Sequence, residues 1–226
     1  MSGPTLVIDL AEPVSPAVLR ELRALMVRLS CRLEETRPAC YDAHVPAERL
    51  GIEDTRDEDW RRPYPLPLLG ERSTDERSTD ERSTEEGSTD ERLAALVGFN
   101  PAREDWRRPF DVYLLGAGAG DEDVFEGEHA DEPEIEAILG FRAVQAVNVS
   151  AACNRWIDHV ATALLTAAVM DVTGGVCKAE LAAGQAAAVA GIPGLLGVAD
   201  DGWDTALVTA EFLRAWAGRP GFRLVK

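Results

Sequence analysis

One long apolar segment, preceded by a cluster of polar residues, limits the possible folds of this chain more than any other feature. Residues 149–177 read VSAACNRWIDHVATALLTAAVMDVTGGVC. Apolar side chains recur at helical spacing over residues 157–169 and cover more than one side of the helix, so we expect a helix that is buried on most of its surface. Gly174 and Gly175 follow and permit a left-handed C-terminal turn. The other segments must therefore cover a central helix.

The polar residues at the start of this helix have both a structural and a chemical interpretation. Asn154 is expected to cap the helix, and Asp158 lies in the first turns, where the positive end of the helix dipole favours a carboxylate. Cys153, Asp158 and His159 also supply the groups of a nucleophile, an orienting carboxylate and a base. Adjacent side chains on a helix diverge by about 100°, so Asp158 and His159 do not face each other. We therefore predict no catalytic site, with Cys153, Asp158 and His159 as the residual candidates for chemistry.

Charge and composition exclude several classes of function. The chain has 226 residues and a net charge of -17, whereas DNA, RNA and anionic lipid require a Lys and Arg footprint. No stretch approaches the roughly 20 apolar residues of a membrane span, and the N-terminus lacks the basic and apolar regions of a signal peptide. The four cysteines form no CxxC pair, which suits reduced thiols. We expect a cytoplasmic protein with no nucleic-acid or membrane partner, no metal and no cofactor.

Short periodic segments along the chain predict an α+β domain. Ser15 and Pro16 are typical of a helix start, as is Thr209 before a second amphipathic helix that carries Trp216 on its inner side. The chain is predicted to form one domain over residues 1–226, in which a mixed or antiparallel sheet is packed by about three main helices. Strands are predicted at residues 5–10, 31–37, 110–116, 141–149, 176–181 and 205–208.

Two repeats interrupt this pattern. Residues 71–90 consist of the units ERSTD, ERSTD, ERSTE and EGSTD, which contain no apolar residue. A disordered, low-complexity insert is therefore predicted over residues 71–92. The block EDWRRP occurs at residues 58–63 and again at 104–109, which indicates a segmental duplication. Trp60 and Trp106 are interpreted as anchors to the core, with ligand stacking or an oligomer contact as the alternatives.

The acidic run that follows the glycine-rich residues 116–120 is the predicted contact surface for a partner. It lacks the alternating ligands and central glycine of a calcium loop, and we interpret it as a solvated loop. Its carboxylates suit a basic protein partner. The predicted partner-binding residues are Asp121, Glu122, Asp123, Glu126, Glu128, Asp131 and Glu132.

The C-terminal part of the chain resembles a known group of proteins. The matching residues are Cys153-Asn154, Asp158-His159, the helix that ends at Gly174-Gly175, Pro193-Gly194 and residues 211–226. In these it resembles an uncharacterised, mainly actinobacterial family of small acidic proteins and, more loosely, immunity proteins of bacterial polymorphic toxin systems. The resemblance implies an α+β protein that binds and blocks a partner without catalysis.

Three functions are compatible with these observations. The first is a non-enzymatic acidic binding protein, immunity- or antitoxin-like, that neutralises a basic protein partner. The second is a small hydrolase or transferase that uses Cys153 and His159. The third is a structural module that oligomerises through the segments of Trp60 and Trp106. Asn154, Gly174, Gly175 and Trp216 are predicted to have structural roles.

Overall fold

The described residues form an eight-stranded antiparallel sheet with helices on both faces. A computed structural model of the chain describes residues 3–52, 107–129, 132–200 and 202–225. The strand order is β2-β3-β4-β5-β1-β6-β8-β7, and every neighbouring pair is antiparallel. Strands β1 to β8 are Thr5–Leu10, Arg32–Arg37, Cys40–Pro46, Arg107–Gly116, Gln145–Ala151, Val176–Glu180, Leu195–Asp200 and Asp204–Val208.

Local sequence signals set the ends of the main helices. In the first helix, Ser15 Oγ accepts the backbone N–H of Val18, and in the last, Thr209 Oγ1 accepts that of Phe212, so both satisfy an otherwise unpaired donor. The described residues also contain one 3₁₀ turn, Ala47–Leu50. Helices α1 to α6 are Pro16–Leu29, Glu122–His129, Pro133–Leu139, Trp156–Thr173, Gln185–Val189 and Ala210–Ala217.

The two faces of the sheet have different covers. On one face, alternate residues of β1 (Leu6, Ile8 and Leu10) are buried in the main core, against which α1, α4 and α6 pack. On the other face, α2 and α3 contact β4, β7 and β8, and Ile135 and Leu207 belong to a smaller buried cluster. Because side chains alternate along a strand, every buried strand contributes residues to both layers.

The predicted fold class is confirmed, and so are most of its elements. The α+β architecture, the antiparallel sheet, the central helix and its end before Gly174 agree with the structure. Residues 117–119 form a turn after β4. The C-terminal residues Phe222 and Leu224 are buried outside any strand, so they form a tail that is docked on the core.

One expectation about local structure is wrong, and two strands were not predicted. The acidic run is not a loop, because residues 122–129 form α2. Residues 40–46, for which no strand was predicted, form the inner strand β3. The strand β7 was also not predicted. Pairing with the sequence-distant β4 stabilises β3, and packing on the sheet stabilises α2, whereas β7 forms a hairpin with β8.

Some predictions fall outside the part of the chain that the structure describes. These are the insert at residues 71–92, the first copy of the duplicated block, Trp60, Trp106 and Asp131. The extent of a single domain over residues 1–226 therefore stays a prediction. Within the described ranges, no helix is both long and apolar enough to span a membrane.

Candidate functional site

The polar residues at the start of α4 form a buried structural contact. Asp158 is fully buried, and its Oδ1 accepts a hydrogen bond from Arg108 Nε at 2.5 Å. Its Oδ2 accepts the backbone N–H of Arg155 at 2.6 Å, so one carboxylate both neutralises a buried guanidinium and caps the helix. A buried ion pair of this kind needs extra hydrogen bonds to offset its desolvation, and the Arg155 N–H supplies one. Asp158 therefore joins β4 to the start of α4.

The prediction that Asn154 caps the helix is wrong. The helix begins one residue later, with Arg155 at the N-cap position. The carboxylate of Asp158 accepts the backbone N–H of Arg155. Asn154 Oδ1 is buried and has no hydrogen-bond partner in the described part of the chain. Asp158 folds back from the third helical position to the backbone N–H of Arg155, as the acidic residue of a capping box does, and this fixes the helix start at Arg155.

His159 and Cys153 have contacts that do not assemble a catalytic triad. His159 is 1% exposed, and its Nδ1 accepts the backbone N–H of Leu224 at 3.3 Å. This nitrogen therefore holds the C-terminal tail against α4. Both carboxylate oxygens of Asp158 accept hydrogen bonds from arginine residues, so its described contacts are structural. Cys153 is a half-buried free thiol, and its chemical role stays a prediction.

Gly175 is required by a close approach of the chain. It has φ +87°, and a Cβ there would lie 2.6 Å from the backbone oxygen of Asp9. The chain leaves α4 at this point and enters β6 directly beside β1. Any side chain at residue 175 would separate the two strands. The structural role predicted for Gly175 therefore has a physical basis in both its conformation and its contacts.

An open groove lies on the sheet face that α2 and α3 only partly cover. Its volume is about 420 Å³. Across the strands, Asp42 of β3 pairs with Asp111 of β4, which pairs in turn with Ser150 of β5. The groove is lined by Thr36, Arg37, Cys40, Tyr41, Asp42, Asp111, Tyr113, Asp121 and Ser150. Three carboxylates and one guanidinium make this lining acidic.

Asp42 and Asp111 lie directly opposite each other on adjacent strands. Burial, followed by the charge of Asp42, raises the pKa of Asp111 above its ordinary value. No cation pairs with either carboxylate within the described ranges. Like charges at directly opposed positions destabilise a sheet. The pair therefore lowers the stability of the sheet, and the contacts within the described ranges do not offset this loss.

Helix α2 borders the groove and presents acidic side chains to solvent. Asp123, Glu126 and Glu128 are exposed, and none of them has an ion-pair partner among the residues described. Val124 is 47% exposed on the same helix, one turn before Glu128 and hence next to it. The surface thus combines negative charge with an apolar contact.

The other residues predicted to bind a partner have different environments. Asp121 forms an ion pair with Arg37. Glu122 Oε1 accepts the backbone N–H of Gly118 at 2.9 Å. Glu132 points inward and lies beside a buried lysine. The predicted acidic run is therefore divided between a solvent-facing part, a locally satisfied part and one inward residue.

A second polar cluster is buried beneath the junction of α2 and α3. Asp9 of β1 and Lys178 of β6 are diagonal neighbours on one face of the sheet, with 3.4 Å between Oδ2 and Nζ. Lys178 Nζ also lies 2.8 Å from both His129 Nδ1 and Glu132 Oε2. His129 stacks on Phe125, with 4.7 Å between ring centroids. This cluster attaches the acidic helix to the centre of the sheet.

The sequence analysis missed the residues of the groove and of this cluster, although two signals were present. Asp9 interrupts the apolar strand TLVIDL, and a charged residue inside a buried strand indicates a buried partner. Tyr41, Ala43 and Val45 alternate with Asp42 and His44, which is a strand pattern. A prediction of β3 would have placed Asp42 on a polar sheet face.

Comparison with known proteins gives one informative match. The chain matches a family described as a family of unknown function, DUF6368, over residues 2–104 and 94–226. The two matched segments overlap at residues 94–104 and together extend over nearly all of the chain. No curated protein and no solved structure matches it.

Proposed function

The chain belongs to the DUF6368 family of unknown function, and from this premise we propose that it is a non-enzymatic, cytoplasmic binding protein that neutralises a basic protein partner, as an immunity protein does. The observation that carries the proposal is the Asp42–Asp111 pair in the open groove. A basic side chain placed between the two carboxylates relieves a repulsion that no cation of the described residues compensates. Destabilising arrangements such as two facing carboxylates occur most often at functional sites.

The surroundings of the pair support the same function. Asp123, Glu126 and Glu128 extend the negative surface along α2, and exposed Val124 offers an apolar contact within it. The net charge of -17 favours rapid encounter with a cationic partner. The contacts of Asp158 and His159 that the structure describes are structural, which supports a binding function over the hydrolase alternative that uses Cys153 and His159.

A capture experiment with charge-matched variants tests this function. The full chain is immobilised, and extract of the cells that produce it is applied at an ionic strength of about 0.15 M, where exposed charges are well screened. We expect a basic protein to be retained by the native chain. Asp42→Asn with Asp111→Asn should lower its affinity by about tenfold or more, because charge pairs at interfaces contribute at least this much.

The control removes two charges elsewhere. Glu12 and Glu211 are exposed and lie outside the groove, so Glu12→Gln with Glu211→Gln should retain the partner with unchanged affinity. Equal losses in the two double variants would mean that only net charge matters, which contradicts a specific site. Retention of no basic protein by the native chain would also reject the proposal.

A further inference from the structure

The buried cluster of Asp9, His129, Glu132 and Lys178 has the composition and spacing of a metal site. Donor atoms of Asp9, His129 and Glu132 all lie within 4.8 Å of one another. Two of the separations are 3.2 Å, between His129 Nδ1 and Asp9 Oδ1, and 3.8 Å, between His129 Nδ1 and Glu132 Oε2. Ligands that bind one Zn²⁺ ion at about 2.1 Å lie roughly 3.0–3.5 Å apart. Movement of Glu132 toward the other two ligands closes the longer separations, none of which exceeds 4.8 Å.

The ammonium of Lys178 lies where a cation would be held. Its Nζ is 2.8 Å from His129 Nδ1, 2.8 Å from Glu132 Oε2 and 3.4 Å from Asp9 Oδ2. An ammonium has only donors, so Nδ1 accepts and its lone pair is directed toward the cluster. The same lone pair is the one that a metal ion binds.

The lysine leaves the cluster incompletely satisfied. Both oxygens of Asp9 and the Nε2 of His129 are buried without a hydrogen-bond partner in the described ranges. With a neutral imidazole, one ammonium against two carboxylates leaves a buried charge of about -1, whereas a divalent cation balances both. The side chain of Lys178 is 10% exposed and that of Glu132 is 27% exposed, so this side of the cluster is the entry path.

We propose that Asp9, His129 and Glu132 bind one divalent first-row transition cation, such as Zn²⁺, which displaces the ammonium of Lys178. One imidazole with two carboxylates favours such ions over Mg²⁺ and Ca²⁺, which prefer oxygen ligands alone. The ligands come from β1, from the end of α2 and from the residue before α3. A bound ion would therefore fix the acidic helix on the sheet. The proposal does not depend on the proposed partner.

Calorimetric titration of the purified full chain with Zn²⁺ tests this site. We expect one ion per native chain. Lys178→Met keeps an apolar stem and removes the competing cation, so it should bind Zn²⁺ at least about tenfold more tightly, since a charge-assisted hydrogen bond is worth about that factor. Co²⁺ should give visible absorption bands without the near-ultraviolet band of a thiolate ligand, which separates this site from the four cysteines.

His129→Gln should abolish the binding, and Glu132→Gln, at the half-buried ligand, should weaken it. His44 is half-buried on β3 and is absent from the cluster, so His44→Gln is the matched control and should bind like the native chain. Circular dichroism establishes that each variant is folded. Failure of the native chain to bind, with or without binding by Lys178→Met, would overturn the proposal, and so would binding that survives in folded His129→Gln.

Discussion

The charge of Asp111 opposes folding. Burial and the neighbouring Asp42 raise its pKa in the folded state, so the unfolded chain loses this proton at lower pH. The folded state therefore binds more protons once the pH rises above about 3.8, and linkage makes the contribution of Asp111 to stability fall there. At pH 7 the ionised carboxylate is a net cost to the folded chain.

Asp111→Asn should therefore stabilise the protein at neutral pH. The residue is exposed, so solvent screening limits the gain to about 0.3 kcal/mol in the free energy of unfolding. Urea denaturation at pH 7 and at about pH 2.5, where the carboxyl group is protonated in both states, checks the sign, because the gain should vanish in acid.

The double variant with Asp42→Asn provides the control for this prediction. Once one carboxylate is neutral, removal of the second charge should add less, because only the cost of burial is left to relieve, so the two effects should not be additive. A destabilised Asp111→Asn variant at pH 7 would contradict the proposed repulsion. If Asp111→Asn makes the protein more stable but lowers its affinity for the partner, then Asp111 is a residue whose function lowers stability.

At the scale of single elements, the start of α4 depends on one buried carboxylate. Asp158 accepts from Arg108 Nε and from the backbone N–H of Arg155. Asp158→Ala should lower the free energy of unfolding by about 3–5 kcal/mol, because it leaves Arg108 buried without this carboxylate and removes the helix cap. Thermal or urea denaturation measures the loss.

The matched variant for this helix start is Arg108→Met combined with Asp158→Leu. Replacement of both charges by apolar side chains should recover a large part of the lost stability, since the desolvation of the pair is then avoided. A small effect of Asp158→Ala, below about 1 kcal/mol, would contradict the structural role and would restore Asp158 as a candidate for chemistry.

Elements with local signals were predictable, and elements without them were not. Ser15, Thr209 and Gly174 mark helix ends by interactions within a few residues, and the helices beside them were predicted. Helix α2 contains Asp123 and Gly127, which are poor helix formers, and its glutamates at close helical spacing repel one another. Its packing depends on contacts of His129 with residues of β1 and β6. Those contacts cannot be deduced from the local sequence.

At the scale of the whole molecule, the two candidate sites depend on strand register. Asp9, His129 and Lys178 are far apart in sequence and meet because β1 pairs with β6 while α2 packs over both. Asp42 and Asp111 meet because β3 pairs with β4 across a long intervening segment. Sequence patterns identify strands but leave their order open. The acidic character of the surface was therefore predictable, whereas the facing pairs were not.

The low-complexity repeat should be dispensable for both stability and partner binding. Residues 71–90 contain eight acidic and three arginine side chains, hence -5 of the net charge of -17, and no apolar side chain. A segment without apolar side chains adds nothing to a core. Deletion of residues 71–90 should leave the Tm within about 2 °C, a change that corresponds to less than about 1 kcal/mol, and should leave partner capture unchanged.

Replacement of residues 71–90 by glycine and serine at equal length separates the charge of the repeat from its length. If the groove and α2 carry the partner surface, deletion and replacement should both bind as the native chain does, because Asp42, Asp111 and Glu126 are retained in each. A loss of capture in both would assign the partner surface to the repeat itself and would contradict the groove. A fall in Tm in the deletion variant alone would show that the connection between β3 and β4 needs this length. A connection that is shortened by twenty residues strains the sheet only when the remaining residues are too few to join the two strands.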